Sequence, residues 1–176
     1  MTLSGSLWLG WRKSTVHERA GESDEWYTPK YIFDAIGLQF DVDVASPLGG
    51  PRYTPCSSYI SQNSLEEEWK GTVWMNPPFG NQKTKKLWLS KFFQHGDGVA
   101  LIPDRTSASW WQEYAKSAEV IVFVSPKVKF ERPDGSLGES PSTGTCLFSV
   151  GQISNAALLG CNLGFTLARL EKEYSA

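Results

Sequence analysis

Four consecutive residues, Asn76-Pro77-Pro78-Phe79, carry the most specific chemistry in the sequence. They follow residues 71–75, an apolar run that predicts a strand, and two prolines end a strand because they supply no backbone donors. The Asn76 amide and the Pro77 carbonyl each offer an acceptor oxygen, and Phe79 adds a flat ring. Two acceptors and a ring suit a planar aromatic amine. Held in this way, the amine nitrogen can attack an electrophilic methyl group directly, through positioning and preorganised dipoles.

Alternating strands and helices surround this motif and predict an α/β domain with a mainly parallel sheet. Helices are predicted at residues 28–37, with Thr28 as the cap, and at 84–95 and 107–117. Strands are predicted at residues 40–45, 71–75, 99–102 and 120–124, with an antiparallel edge pair at 128–131 and 145–150. Residues 152–176 are ambiguous and end in a predicted helix at 167–174. Ligands of such sheets bind beyond the carboxyl ends of the strands, which is where Asn76 would lie.

Composition sets bounds on the class of protein. A chain of 176 residues with a formal net charge of −2 fits one domain and argues against a polybasic protein, although local basic patches still allow nucleic acid. No apolar run approaches about 18 residues, so no membrane span is expected. Three scattered cysteines and an N-terminus unlike a signal peptide favour a reducing cytoplasm, and two histidines make a metal site unexpected. Residues 1–24 are predicted to be a loosely ordered basic arm, and residues 25–176 a single domain.

The Asn-Pro-Pro-Phe sequence resembles the Asn/Asp/Ser-Pro-Pro-Tyr/Phe motif of S-adenosylmethionine-dependent amino-methyltransferases. Flanking segments over roughly residues 24–150 are similar to those of the small phage-type DNA N6-adenine methyltransferases. These segments are Trp26-Tyr27-Thr28-Pro29, Phe40-Asp41-Val42-Asp43-Val44-Ala45, Asn63-Ser64-Leu65 with Trp69, and Pro103-Asp104-Arg105-Thr106 with Trp110. The resemblance implies a Rossmann-like class I methyltransferase sheet with helices on both faces. It also implies S-adenosyl-L-methionine as cofactor and methyl transfer to an adenine flipped out of double-stranded DNA.

The resemblance also implies roles for individual residues. Asn76, Pro77, Pro78 and Phe79 would be catalytic, and the cofactor would be bound by Trp26, Thr28, Pro29, Asp43, Ala45 and Asn63. Within that set, Thr28 and Pro29 match the segment at the methionine end of the cofactor. Asp43 would accept from a ribose hydroxyl or the amino group, and Asn63 would lie near the cofactor's adenine. The sequence departs from larger methyltransferases in lacking the Phe-x-Gly-x-Gly loop, in whose place Ala45-Ser46 stands.

Basic residues after the motif are candidates for DNA binding. Lys83, Lys85 and Lys86 have no acidic neighbour in sequence and, with Arg105, could contact phosphates, although a solvated helix face is the alternative. No separate target-recognition domain fits the length, so we expect a short recognition sequence or a second subunit, in a protein that is a monomer or weak dimer. Other hypotheses remain: an RNA base, cytosine N4 or a protein glutamine as acceptor, or an inactive DNA-binding relative. The motif itself could also be only a strand-ending turn.

Overall fold

The computed structural model describes residues 26–139 and 142–169. The predicted arm at residues 1–24 lies outside these ranges. The described elements, numbered in chain order, are α1 (Lys30–Ile36), β1 (Phe40–Asp43), β2 (Cys56–Tyr59), β3 (Val73–Met75), α2 (Gln82–His95), β4 (Gly98–Pro103), α3 (Ser109–Ala115), β5 (Val120–Val124), β6 (Thr145–Val150), α4 (Gln152–Gly160) and β7 (Gly164–Ala168).

The seven described strands form one mixed sheet in the order β2-β1-β3-β4-β6-β5-β7. The neighbours among β2, β1, β3 and β4 pair in parallel, whereas β6 is antiparallel to both β4 and β5, and β7 is antiparallel to β5. Strands β1 to β5 therefore run in one direction, and β6 and β7 run in the other. The carboxyl ends of β1 to β5 consequently lie along one edge of the sheet, together with the connections that leave them.

Helices cover both faces of the sheet. Helices α1 and α4 share one buried cluster with Trp74, and α2 and α3 share the other with Val73 and Met75. Alternating side chains of a strand point to opposite faces, which explains why neighbours in β3 enter different clusters. Trp110 and Trp111 of α3 are each 5% exposed and belong to the core.

Local signals explain several of the helix boundaries. Helix α2 begins after Asn81, whose side chain accepts from the Thr84 backbone N–H, and ends at Gly96 in the left-handed region. Helix α1 likewise ends at Gly37. The predicted Thr28 cap is wrong, because Pro29 occupies the cap position and α1 has no side-chain cap. The Thr28 hydroxyl instead accepts a hydrogen bond from Asn76.

Long-range pairing explains the other differences from prediction. Residues 128–131 form no sheet strand; Glu131 makes only isolated bridges, to Tyr27 and Leu137, while β6 inserts between β4 and β5. Strand β2, within a predicted loop, forms because its backbone pairs with β1. The helix predicted at 167–174 is wrong at Leu167 and Ala168, which pair with β5 as part of β7; residues 170–174 lie outside the described ranges. The antiparallel part is thus larger than the predicted edge pair, since tertiary pairing overrides local propensity.

Candidate active site

A pocket lies at the carboxyl edge of the sheet, beyond β1 and β3. Its lining comes from the segment before α1, the end of β1, the following loop and the end of β3. The lining residues are Trp26, Tyr27, Thr28, Asp43, Ala45, Pro47, Pro51, Arg52, Tyr53, Thr54, Trp74 and Asn76. Five of them, Trp26, Thr28, Asp43, Ala45 and Asn76, are site residues predicted from the sequence. Parallel pairing of β1 with β3 brings the two strand ends together, as expected at a ligand-binding edge.

Asp43 is the buried acid of this pocket, with 4% of its surface exposed. One carboxylate oxygen accepts from the Ala45 backbone N–H at 3.1 Å, and the other accepts from the Thr54 hydroxyl at 2.9 Å. Burial raises the pKa of Asp43 to about 6, and these two hydrogen bonds oppose that rise. The Asp43 carboxylate is therefore held inside the protein rather than exposed to solvent on the strand.

Asn76 follows the last residue of β3 and is partly buried. Its Nδ2 donates to the Thr28 Oγ1 at 3.1 Å, and Thr28 is only 6% exposed. The contact joins the start of α1 to the end of β3, across 48 positions of sequence. Asn76 is thereby held by a second predicted site residue.

The rest of the motif presents a rigid turn and an accessible ring. Pro77 is buried and Pro78 is exposed. Phe79 is 41% exposed and meets Phe130 edge to face, with ring centroids 5.9 Å apart and an interplanar angle of 85°. Phe79 does not line the pocket itself but follows Asn76 by three residues, so its ring is available to a ligand arriving from solvent.

The loop after β1 contributes pocket residues that the sequence reasoning did not single out. Arg52 donates to the Arg132 carbonyl at 3.0 Å and to the Pro133 carbonyl at 2.5 Å, and its guanidinium lies 4.2 Å from the centre of the Tyr27 ring. The Tyr53 hydroxyl donates to the Glu131 carboxylate at 3.0 Å. These contacts tie the loop to residues 131–133 over the pocket. The sequence signal for Arg52 and Tyr53 was their position, because their loop directly follows β1, a strand that ends in the acidic residue Asp43.

Two predicted cofactor residues do not line the pocket. Asn63 is exposed and adopts a left-handed conformation with φ 53°, where its carbonyl accepts from Glu66 and Glu67 in a tight turn. Pro29 is buried at the start of α1, next to Thr28. The structure therefore places Pro29 as a support of the pocket and Asn63 outside it.

The basic candidates separate into two groups. The Lys85 ammonium donates to the Gly80 carbonyl. The pKa of Lys85 is lowered mainly by burial and to a smaller extent by repulsion from Arg105. Lys83 and Arg105 are exposed near the same end of the sheet. Lys86 instead forms an ion pair with Glu113 of α3 at 2.6 Å. Two like charges drawn together at Lys85 and Arg105 would favour an anion between them.

Further along α2, Lys91 does not extend this basic group. Its ammonium donates to the Ser64 carbonyl at 2.9 Å and to the Leu65 carbonyl at 3.1 Å, and it lies 4.9 Å from the centre of the Trp69 ring. Lys91 therefore holds the 63–67 turn against α2.

Within residues 26–139 and 142–169, no group of three or more His, Cys, Asp or Glu side chains is arranged to hold a metal ion. None of the helices described there is long and apolar enough to cross a membrane.

The α/β sheet, with a pocket at its carboxyl edge and an Asn-Pro-Pro-Phe turn in that edge, is consistent with a methyltransferase fold. The sequence model of the DNA N-6-adenine-methyltransferase (Dam) family matches residues 14–148, more than half of the chain. The chain belongs to this family, which implies a DNA N6-adenine methyltransferase with DNA as its substrate. Comparisons with curated proteins and with solved structures give no match.

Proposed function

We propose that this chain transfers a methyl group from S-adenosyl-L-methionine to the exocyclic amine of an adenine flipped out of double-stranded DNA. The observation that carries the proposal is a single pocket that joins a buried carboxylate, Asp43, to the amide of Asn76. Family membership supports the reaction class. The five strands that share one direction, with helices on both faces, support a Rossmann-like class I methyltransferase sheet.

The chemistry of the pocket fits S-adenosyl-L-methionine. The Asp43 carboxylate has room for donors beyond Thr54 and Ala45, because a carboxylate offers about four acceptor positions. It would accept from the ribose hydroxyls or the amino group, and Trp26 and Tyr53 offer flat rings for the adenine. Small Ala45 permits close approach. When bound, the cofactor supplies an electrophilic methyl group on a sulfonium centre.

The Asn76 turn would hold the acceptor base. The Asn76 Oδ1 and the Pro77 carbonyl would each accept one hydrogen bond from the adenine amine, while Phe79 stacks on the base. These hydrogen bonds draw the nitrogen lone pair out of conjugation with the ring and direct it outward. Pro78 keeps the two acceptors at a fixed separation, so little reorganisation is needed in the transition state. The residues of the chain therefore act by positioning the adenine amine and by presenting fixed dipoles to it.

DNA would approach the carboxyl edge, where Phe79 is exposed. Lys83, Lys85 and Arg105 are proposed to contact phosphates there, whereas the ion pair of Lys86 with Glu113 makes that lysine a weaker candidate. The described strands form one sheet with a buried cluster on each face, which favours a short recognition sequence, or assistance from a second subunit, in a monomer or weak dimer. The phage-type relationship, a cytoplasmic location and cofactor roles for Pro29 and Asn63 remain predictions.

The test is methylation of unmethylated genomic DNA with tritiated cofactor, followed by digestion to nucleosides. We expect the label in N6-methyl-2′-deoxyadenosine, loss of transfer by about 100-fold or more in Asn76→Ala, and largely unchanged cofactor binding. Gln94→Ala is the matched control, because this exposed amide lies at the opposite end of α2. Label in methylcytosine, RNA or protein would identify another acceptor. Failure to bind the cofactor would identify an inactive relative, and an active Asn76→Ala variant would remove the catalytic role of Asn76.

Sequencing the methylated DNA from cells that express the protein would then define the recognition sequence. A short or relaxed sequence is expected, because residues 26–139 and 142–169 form one sheet with its covering helices. A long recognition sequence would contradict that expectation and would indicate a further reading element.

A further inference from the structure

The hydrogen bond between Thr28 and Asn76 has a consequence for methyl transfer. A side-chain amide has two unlike ends, since Oδ1 only accepts hydrogen bonds and Nδ2 only donates them. An adenine amine needs an acceptor, so only one of the two amide orientations is productive. In the structure Nδ2 is engaged by the Thr28 Oγ1 at 3.1 Å, which leaves Oδ1 as the end directed to other partners.

Thr28 is itself held firmly. It is 6% exposed, and the next residue, Pro29, has its φ restricted by the ring to −62°. On the other side, the backbone N–H of Tyr27 donates to the Glu131 carbonyl at 2.9 Å, and the Glu131 N–H donates to the Tyr27 carbonyl at 3.0 Å. The Thr28 hydroxyl is thus presented from a fixed backbone.

The elements that carry the two residues are also packed on each other. Phe33 of α1 meets Trp74 of β3 edge to face, with ring centroids 4.8 Å apart, and both side chains are at most 4% exposed. Trp74 lies two residues before Asn76, and Phe33 of α1 lies five residues after Thr28. This aromatic contact holds the start of α1 beside the end of β3. The hydrogen bond then joins the Asn76 amide to the Thr28 hydroxyl between these two ends.

We propose that Thr28 is a positioning residue for methyl transfer, which holds the Asn76 side chain in place with Nδ2 on the Thr28 hydroxyl and Oδ1 available to the adenine amine. The proposal rests on the proposed function and adds to it a role for Thr28 that acts through Asn76. The resemblance implied a different role, contact with the methionine end of the cofactor. The two roles predict different kinetics. Loss of a cofactor contact changes cofactor affinity, whereas loss of a contact that holds the Asn76 amide changes the rate of the chemical step.

Thr28→Val is the direct test, since it keeps the shape of the side chain and removes the hydroxyl. We expect the single-turnover rate at saturating cofactor to fall about 10- to 100-fold, because small misplacements of a reacting group have effects of this size. The dissociation constant for S-adenosyl-L-methionine, measured by calorimetry, should stay within about threefold. Thr28→Ser keeps the hydroxyl and should retain most of the rate. Thermal unfolding confirms that each variant is folded, and Thr28→Cys replaces Thr28→Val if the latter does not fold.

A second readout tests the hydrogen bond without activity. The side-chain amide of Asn76 gives a pair of proton–nitrogen resonances, which are identified by their disappearance in Asn76→Ala. In Thr28→Val these resonances should shift and broaden, and in Thr28→Ser they should remain near their wild-type positions. Unchanged resonances in Thr28→Val would overturn the proposal, and so would a rate loss matched by an equal loss of cofactor affinity. If wild-type protein fails to methylate DNA, the proposed function fails, while the resonances still decide whether Thr28 orients Asn76.

Discussion

Replacing Asp43 by Asn should make the protein more stable while it weakens cofactor binding. In the folded protein the pKa of Asp43 is raised from 3.8 to about 6, so the ionised carboxylate is less favourable in the folded than in the unfolded chain. Because the folded pKa lies above the unfolded one, Asp43 lowers the free energy of unfolding as the pH rises from about 4 to about 6. The difference between the folded and unfolded pKa values corresponds to about 3 kcal/mol of unfolding free energy. All of that free energy is lost once the pH exceeds the folded pKa.

Asn suits this position because it retains both hydrogen bonds. Its Oδ1 can accept from the Ala45 N–H, and one of its two Nδ2 hydrogens can donate to the Thr54 oxygen, which removes the charge and keeps both contacts. We expect Asp43→Asn to gain up to about 3 kcal/mol in the free energy of unfolding near pH 8. The gain should be about half as large near pH 5. Cofactor affinity should fall by about tenfold or more, since a charge-assisted hydrogen bond is lost.

Urea unfolding followed by tryptophan fluorescence at the two pH values measures the stability, and calorimetry measures the affinity. Asp34→Asn is the matched control, because Asp34 is exposed and pairs with Lys30 on the surface of α1, where little change is expected. If Asp43→Asn were less stable than wild type near pH 8, burial of the charge would not be the cause of the pKa shift. Unchanged cofactor affinity would remove Asp43 from the binding site.

Two further predictions concern the surroundings of the pocket. Arg52→Ala should cost about 1–3 kcal/mol of stability and weaken cofactor binding, because the Arg132 and Pro133 carbonyls lose their donor; Arg52→Lys should restore little, since an ammonium lacks the planar fork. Urea unfolding and calorimetry check both variants, and full recovery by Lys would contradict the argument. Lys85→Gln should weaken DNA binding and reduce the slope of log affinity against log salt by about 1, measured by fluorescence anisotropy. Lys86→Gln should leave the slope nearly unchanged, because Lys86 is paired with Glu113. Equal changes of slope in Lys85→Gln and Lys86→Gln would refute the different roles assigned to these two lysines.

The sequence by itself determined the local features of this protein. Asn76-Pro77-Pro78-Phe79 marks the end of β3, because a strand cannot continue through two prolines. Asn81 and Gly96 bound α2 through backbone geometry that depends on neighbouring residues alone. The apolar runs of β4 and β5 are also readable from the sequence alone. Strands that are buried on both faces of a sheet need apolar side chains at successive positions. The reaction class was also accessible, because two acceptors and a ring in one rigid turn limit the possible ligands.

Only the tertiary structure decided which distant segments meet. Strand β2 has little apolar character and exists through its pairing with β1. Leu167 and Ala168, predicted to begin a helix, belong to β7 instead, because β5 offers β7 an edge to pair with. Asn63 matched a family position yet lies in an exposed turn. Arg52 and Tyr53 line the pocket and contact residues 131–133, and their position after β1 did not specify these contacts. The hydrogen bond from Asn76 to Thr28 likewise depends on α1 packing against β3. Such contacts join residues far apart in sequence, so their free energy depends on the arrangement of the whole sheet rather than on any local pattern.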